Sequence, residues 1–424
     1  GAGFGDIGFA GQSVKLDWPR VFRRPLTFAL TACQLEVLWT QKISWQFDLN
    51  RCQAQNEDIS VSARMRMASS EGKPELDVNV AMQRGDVSRF GDYWPENVMK
   101  ASTLHWLRTS LVDGLVTNGR YSMTGDMDNF PFTDQSGRLI AIAPVENAVL
   151  KYVDGWPRAS QVNAVATFEG PGLYVEGWIG QTVGATVDNV SARIADFKAP
   201  VLDLNYETTA ELPTLVEFLK RTPLLNGLDL DLKQFVLTGP AEINGQLRTG
   251  LGESTEPLQV TGALQLENNQ FTELRSGVAL DGITGTLEYH GEGLEAKQLS
   301  ASYKGFPVEL EVISDWDADE VFRASLHGSI PVEKVIPEDL LQREPLFNRA
   351  SGTSMWDIGV SVTAVDNSDR NETWLDIYSG LAGVSIDLPA PFGKPAEESW
   401  PTLVRYPIRT ENHILTADVP GRLQ

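Results

Sequence analysis

"FPVELEVIS", residues Phe306 to Ser314, decides the fold class. Phe306, Val308, Leu310 and Val312 fall on one side of an extended backbone, with Pro307, Glu309 and Glu311 on the other. A period of two is the signature of a strand with one dry and one wet face, whereas a helix would scatter both sets around its axis. Working outward, "FRASLHGSI" separates Phe322, Ala324, Leu326 and Ile330 from Arg323, Ser325, His327 and Ser329. "ISVSARMRM" divides Ile59, Val61, Ala63, Met65 and Met67 from Ser60, Ser62, Arg64 and Arg66, and "LDVNVAM" repeats the pattern with Leu76, Val78, Val80 and Met82. Turn signals such as "EGPGL", "LENNQF" and "HGEGL" stand between these runs, as antiparallel connections require.

Three segments depart toward helix. "PENVMKASTLHWLRTSLVD" sets Leu104, Leu107 and Leu111 on one face behind Pro95, predicting a helix over about 95–112. "LPTLVEFLKRTPLL" predicts a second over about 213–222, opened by Pro213, and "IPEDLLQREPLF" a third over about 337–346, opened by Pro337.

The chain also repeats itself. "FEGPGLYVEG" (168–177) returns 121 positions later as "YHGEGLEAKQ" (289–298), and "PVENAVLKYVDG" from Pro144 returns at the same offset as "QLENNQFTELRS". Pro223 and Pro345 close similar helix ends, 122 apart, and "LVDGL" (111–115) resembles "LLNGL" (224–228). The repeat predicts units at 1–118, 119–240, 241–350 and 351–424, the first and last partial or divergent. At about 12 residues per strand and turn, the chain would hold roughly 25 to 30 strands, a sheet on the order of 120 to 140 Å long. So wide a sheet must curl or pack on something, and the helices are too few to cover it. The expected fold is therefore mainly β: a long, curled antiparallel sheet of repeated units, a trough with an apolar interior. A row of β-sandwiches and a β-solenoid are the alternatives.

Composition excludes several functions. The 424 residues carry a net charge of −22, which repels nucleic acid and anionic membrane surfaces. No run approaches the ~18 apolar residues of a membrane-spanning helix. The opening "GAGFGDIGFAGQ" lacks the regions of a signal peptide, so the sequence reads as a fragment of a longer protein. Cys33 and Cys52 have no metal spacing and read as two buried or idle thiols, with a disulfide between adjacent strands as the alternative. The four histidines are scattered. "GFGDIG" (3–8) matches a dinucleotide fingerprint without the following helix, and Asp126, Asp128 and Asn129 lack the Gly and Glu of a calcium loop. No catalytic, metal or cofactor set emerges.

From about Asp92 onward the sequence resembles the YhdP branch of the AsmA-like proteins. "GDMDNFPF" (Gly125 to Phe132), "DGWPRASQVNA", "LHWLRTSLVDG" and "GLAGVSIDLPAPFGKPAEESWP" (Gly380 to Pro401) carry the resemblance. It implies β-groove repeats in a periplasm-spanning protein anchored in the inner membrane, which moves phospholipid to the outer membrane. The implied partners are phospholipid acyl chains and membrane proteins at either end of the full-length protein. This sequence would be a middle span, without the anchor.

Inward-facing residues then become the expected lipid-binding surface: Leu150, Tyr152, Phe168, Val175 and Ile179 in one unit, and Leu264, Leu287, Phe306, Val308, Leu310, Val312 and Leu326 in the next. Two rivals remain. One is a non-conducting scaffold with a closed core. The other is a carbohydrate-binding β-protein using exposed aromatics such as Trp156 and Trp178, both of outward parity.

Overall fold

A computed structural model describes residues 2–17, 19, 22–40, 44–70, 73–94, 96–97, 101–126, 129, 132, 136–151, 155–222, 235–251, 254–274, 277–291, 293–315, 320–336, 341–342, 345–364, 371–407 and 416–418. They contain 23 strands, fewer than the expected 25 to 30 because single strands run to 16 residues. The chain divides into two units, one of residues 1–209, 217–224 and 245–259, the other of 210–216, 225–244 and 260–424.

Unit 1 is one antiparallel meander. Its strands are β1 (Ala2–Leu16), β2 (Leu26–Thr40), β3 (Ser44–Gln55), β4 (Ile59–Ser70), β5 (Lys73–Asp86), β6 (Leu111–Asp126), β7 (Gly137–Leu150), β8 (Ala159–Glu169), β9 (Gly172–Thr182), β10 (Ala185–Ile194) and β11 (Val201–Glu211). Each pairs with the next in sequence. The run 3–8 lies inside β1, which removes the dinucleotide reading.

Helix α1 (Ala101–Ser110) stands between β5 and β6. It is shorter than its sequence pattern: Leu111 already belongs to β6, and Pro95 lies outside the described residues. Leu107 is buried, and Arg108 pairs with Glu96. Helix α2 (Leu212–Lys220) falls where the second was expected.

Unit 2 contains β12 (Phe235–Thr238), β14 (Gln259–Glu273), β15 (Ala279–His290), β16 (Gly293–Tyr303), β17 (Phe306–Asp315) and β18 (Glu320–Pro331), while β13 (Pro240–Gly250) is shared between the units. Helix α3 (Val332–Val335) leads to β19 (Ala350–Ala364), β20 (Asn371–Ser379), β21 (Val384–Ile386), β22 (Thr402–Pro407) and β23 (Thr416–Asp418). From β14 to β20 each strand pairs antiparallel with its successor, β20 pairs with β22, β22 with β23, and β21 joins the start of β19. β18 turns directly into α3 at Pro331, ahead of the helix expected over about 337–346, of which Leu341 and Gln342 are helical. Residues 337–340 and 343–344 lie outside the described set, and Pro345–Arg349 form a 3-10 turn.

The repeat is written into the backbone. Asn147 and Asn268, Gln161 and Gly282, Val183 and Lys304, and Gly184 and Gly305 are all left-handed, and the members of each pair are 121 positions apart. Their φ angles agree closely: 50° and 56°, 54° and 66°, 51° and 49°, 86° and 87°. The first two pairs mark bulges, where one extra residue restores the inward parity of the strand beyond it. The last two form two-residue hairpin turns with φ positive at both centres, which match the strand twist. Of the expected unit boundaries, Pro240 and Ala350 open β13 and β19, while Asn118 lies within β6.

Candidate functional site: an apolar sheet face

Cross-strand register shows what the alternation builds, because directly paired residues share a face. In unit 1, Ile7, Leu35, Leu49, Met65, Val78, Met123 and Leu139 are successive partners from β1 to β7. One step along β7, Ala141, Phe168, Leu173, Ile194 and Leu202 continue the row to β11. Every strand contributes an apolar side chain to this band. The opposite row reads Asp6, Glu36, Asp48, Arg66, Asp77, Thr124 and Arg138. One face is apolar across the eleven strands, and the opposite row is polar or charged from β1 to β7.

Unit 2 is built alike. Leu264 pairs with Leu287, and Leu299, Leu310, Leu326, Ile358, Ile377 and Val404 form a row from β16 to β22.

Ten of the twelve expected lining residues can be placed, all on these faces. Phe168 opposes Leu173, two residues before Val175, and Leu150 opposes Ala159 on the same face. Phe306, Val308, Leu310 and Val312 line β17, with Leu326 opposite Leu310. Tyr152 and the side chain of Ile179 lie outside the described residues.

Burial differs along the strands. At one strand end in unit 1, Ile59, Val87 and Val116 are buried, and the Phe90 ring lies over Gly85, where an added Cβ would come within 2.9 Å of it. In unit 2, Tyr303 donates to Lys334 O on α3 at 3.4 Å, Trp356 donates to Ile330 O at 2.9 Å, and Ile330 and Val332 are buried beside them. Val308 and Leu310 belong to this covered end, at 4% and 9% exposure. Away from such ends Leu35, Leu49, Met65, Val78, Val175 and Val312 are only half-buried. Burial pushes the Tyr121 phenol in that band above its ordinary value, and its hydroxyl turns to Met123 Sδ at 3.3 Å.

Two expectations are corrected. Cys33 and Cys52 are not idle thiols: they form a disulfide between β2 and β3. A bulge at the left-handed Arg51 brings them opposite one another, a detail no spacing rule in the sequence encodes. Trp156 does not sit outward on a strand. It lies in the β7–β8 connection with its ring edge-on to Phe218 of α2, centroids 6.1 Å apart. Trp178 does face the polar side, 46% exposed.

Sequence reasoning also missed lining residues. Leu35 and Leu49 share this face, as do Met65, Val78 and Val80, whose alternation is plain in the sequence but which fall outside the expected lining set because they precede the stretch that bears the family resemblance. Ala141 and Ala166 were missed because alanine marks neither face strongly. Among the described residues no group of three or more His, Cys, Asp or Glu could hold a metal ion.

Residues 4–424 match the family described as YhdP protein. The intermembrane phospholipid transporter YhdP of Escherichia coli (strain K12) is 22% identical over 394 residues, which cover 91% of this chain and 30% of that protein's length. No solved structure matches the chain. With an antiparallel sheet in each unit, an apolar face in each, and a family match over nearly its whole length, this chain belongs to the YhdP protein family.

Proposed function

We propose that this chain is a span of an intermembrane phospholipid carrier, in which acyl chains lie along the apolar sheet face while headgroups stay in water. The observation that carries this reading is the row of apolar register partners, from β1 to β11 in unit 1 and from β16 to β22 in unit 2. A sixteen-carbon tail costs roughly 12 kcal/mol to expose to water, at ~0.8 kcal/mol per CH₂. A continuous apolar band removes that cost at every point of the path, and it needs no polar contact to any one headgroup. Transport of this kind also needs no catalytic centre.

The finer reading is that each unit acts as the floor of a groove, repeated at about 120 residues with boundaries near 118, 240 and 350. It places the chain in the periplasm as the middle of a longer, inner-membrane-anchored protein with membrane proteins at its ends. The Cys33–Cys52 disulfide supports an oxidising compartment. The name and greater length of the Escherichia coli relative support phospholipid as cargo and a longer whole.

The test uses half-buried positions, since an Asp at the buried Val308 or Leu310 would damage the fold itself. Met65→Asp, Val78→Asp and Val312→Asp are compared with Asn79→Asp on the polar face of β5. Lipids are extracted from detergent-free preparations and weighed by mass spectrometry. Phospholipid on the native chain and on Asn79→Asp, reduced several-fold on the folded inward variants, supports the reading. Equal lipid on all four variants, or none on the native chain, rejects it in favour of a scaffold.

A further inference from the structure

The polar face of unit 2 carries a concavity of about 170 Å³. It is a product of strand register. Gly359 of β19 lies between Ser325 of β18 and Asp376 of β20, and Asp357 pairs with Tyr378 one step along. Arg323, Val360 and Ser361 complete the lining. The missing side chain of Gly359 forms the hollow: an added Cβ would find only Ser325 Oγ at 3.8 Å and Ala324 O at 3.9 Å. Tyr378 stands beside it, 50% exposed. Arg405 of β22 donates to both oxygens of Asp376, at 2.7 and 2.9 Å, so that carboxylate is ordered before any ligand arrives.

We propose that this concavity binds one ring of an uncharged saccharide. Its volume equals that of five or six waters at ~30 Å³ each, the bulk of a single sugar ring. Tyr378 offers an aromatic surface to the C–H face of such a ring. Asp357 accepts hydroxyl protons, as does Asp376 through the lone pairs that Arg405 leaves, while Ser325 donates, which is the mixed set a polyol needs and a tail does not. Asp357 and Asp376 stand with Arg323 and Arg405, so the site carries no net charge of its own and suits an uncharged ring. The site lies opposite the apolar face, since Gly359 and its partners alternate with Ile358 and Val360. It is therefore independent of any acyl path.

The full chain is titrated with chitotetraose and with maltotetraose, and binding is followed by saturation-transfer NMR and calorimetry. At least one sugar is expected to bind with Kd on the order of 1 mM, as one shallow ring site allows. Tyr378→Ala and Gly359→Val should each weaken it about tenfold or more, which is ~1.4 kcal/mol. Gly359→Val adds its Cβ in ordinary contact and places a β-branched residue in a strand, so it should fold at least as well as the native chain. Unchanged circular dichroism and unchanged lipid content in both variants separate loss of the site from loss of the fold. No binding of either sugar at about ten times that concentration overturns the proposal. So does binding that survives both substitutions.

Discussion

At the residue scale, the covalent link between Cys33 and Cys52 joins two neighbouring strands of the apolar band, β2 and β3, with Cys33 buried at 4% exposure. The bridge spans a sequence separation of 19. Closing so short a loop removes chain entropy from the unfolded state worth about 3 kcal/mol. The paired Cys33→Ala, Cys52→Ala variant should therefore lower the stability of unit 1 by roughly 2 to 3 kcal/mol, read as a lower urea midpoint of one transition. A reductant added to the native chain should reproduce that shift and leave the variant unmoved. The surface ion pairs promise far less. Arg66 meets Asp48 at 3.7 Å and Arg138 meets Glu169 at 3.6 Å, both with exposed arginines, and such pairs are worth about 0–1 kcal/mol. They keep the outer face wet rather than hold the sheet together.

At the scale of elements, turns and bulges decide which way each strand faces. Val183 and Gly184 form the two-residue turn between β9 and β10, as Lys304 and Gly305 do between β16 and β17. A β-branched residue at φ 51° is unfavourable, whereas Asn suits the first position of such a turn. Val183→Asn should raise stability by roughly 0.5 to 1 kcal/mol, measured by chemical denaturation, and Lys304→Asn should gain less because lysine is not β-branched. The strand faces were legible in "FPVELEVIS" and "LDVNVAM" because every second residue there is a large apolar one and Glu309, Glu311, Asp77 and Asn79 mark the other face. In β7, "LIAIAPVENAV" hides the pattern, since Ile140 and Ile142 lie on the polar face and Asn147 resets the parity. Helix ends were less legible. The pattern of Leu104, Leu107 and Leu111 continues smoothly, yet the chain leaves the helix at Ser110, where strand pairing to β7 begins to compete. The covered strand ends were not legible at all, because Phe90 reaches Gly85 through tertiary packing that no local period reports.

At the scale of the whole molecule, what recurs is a surface. Each unit presents one apolar and one polar face, and four left-handed positions recur 121 residues on to keep that assignment in register. A sequence repeated for catalysis would repeat a cluster of polar side chains; this one repeats the geometry that keeps apolar residues on one side. The acidic charge sits on the opposite face, as at Asp6, Glu36, Asp48 and Asp77, where it holds that side in water. The most direct measurement is site-specific photo-crosslinking to phospholipid in cells, with a photoreactive residue placed in turn at Val78, Asn79, Val312 and Glu311. The account predicts lipid adducts at Val78 and Val312 and none at Asn79 and Glu311, a period of two that follows the strand. Adducts of equal yield at all four positions, or none at Val78 and Val312 in folded protein, would contradict it.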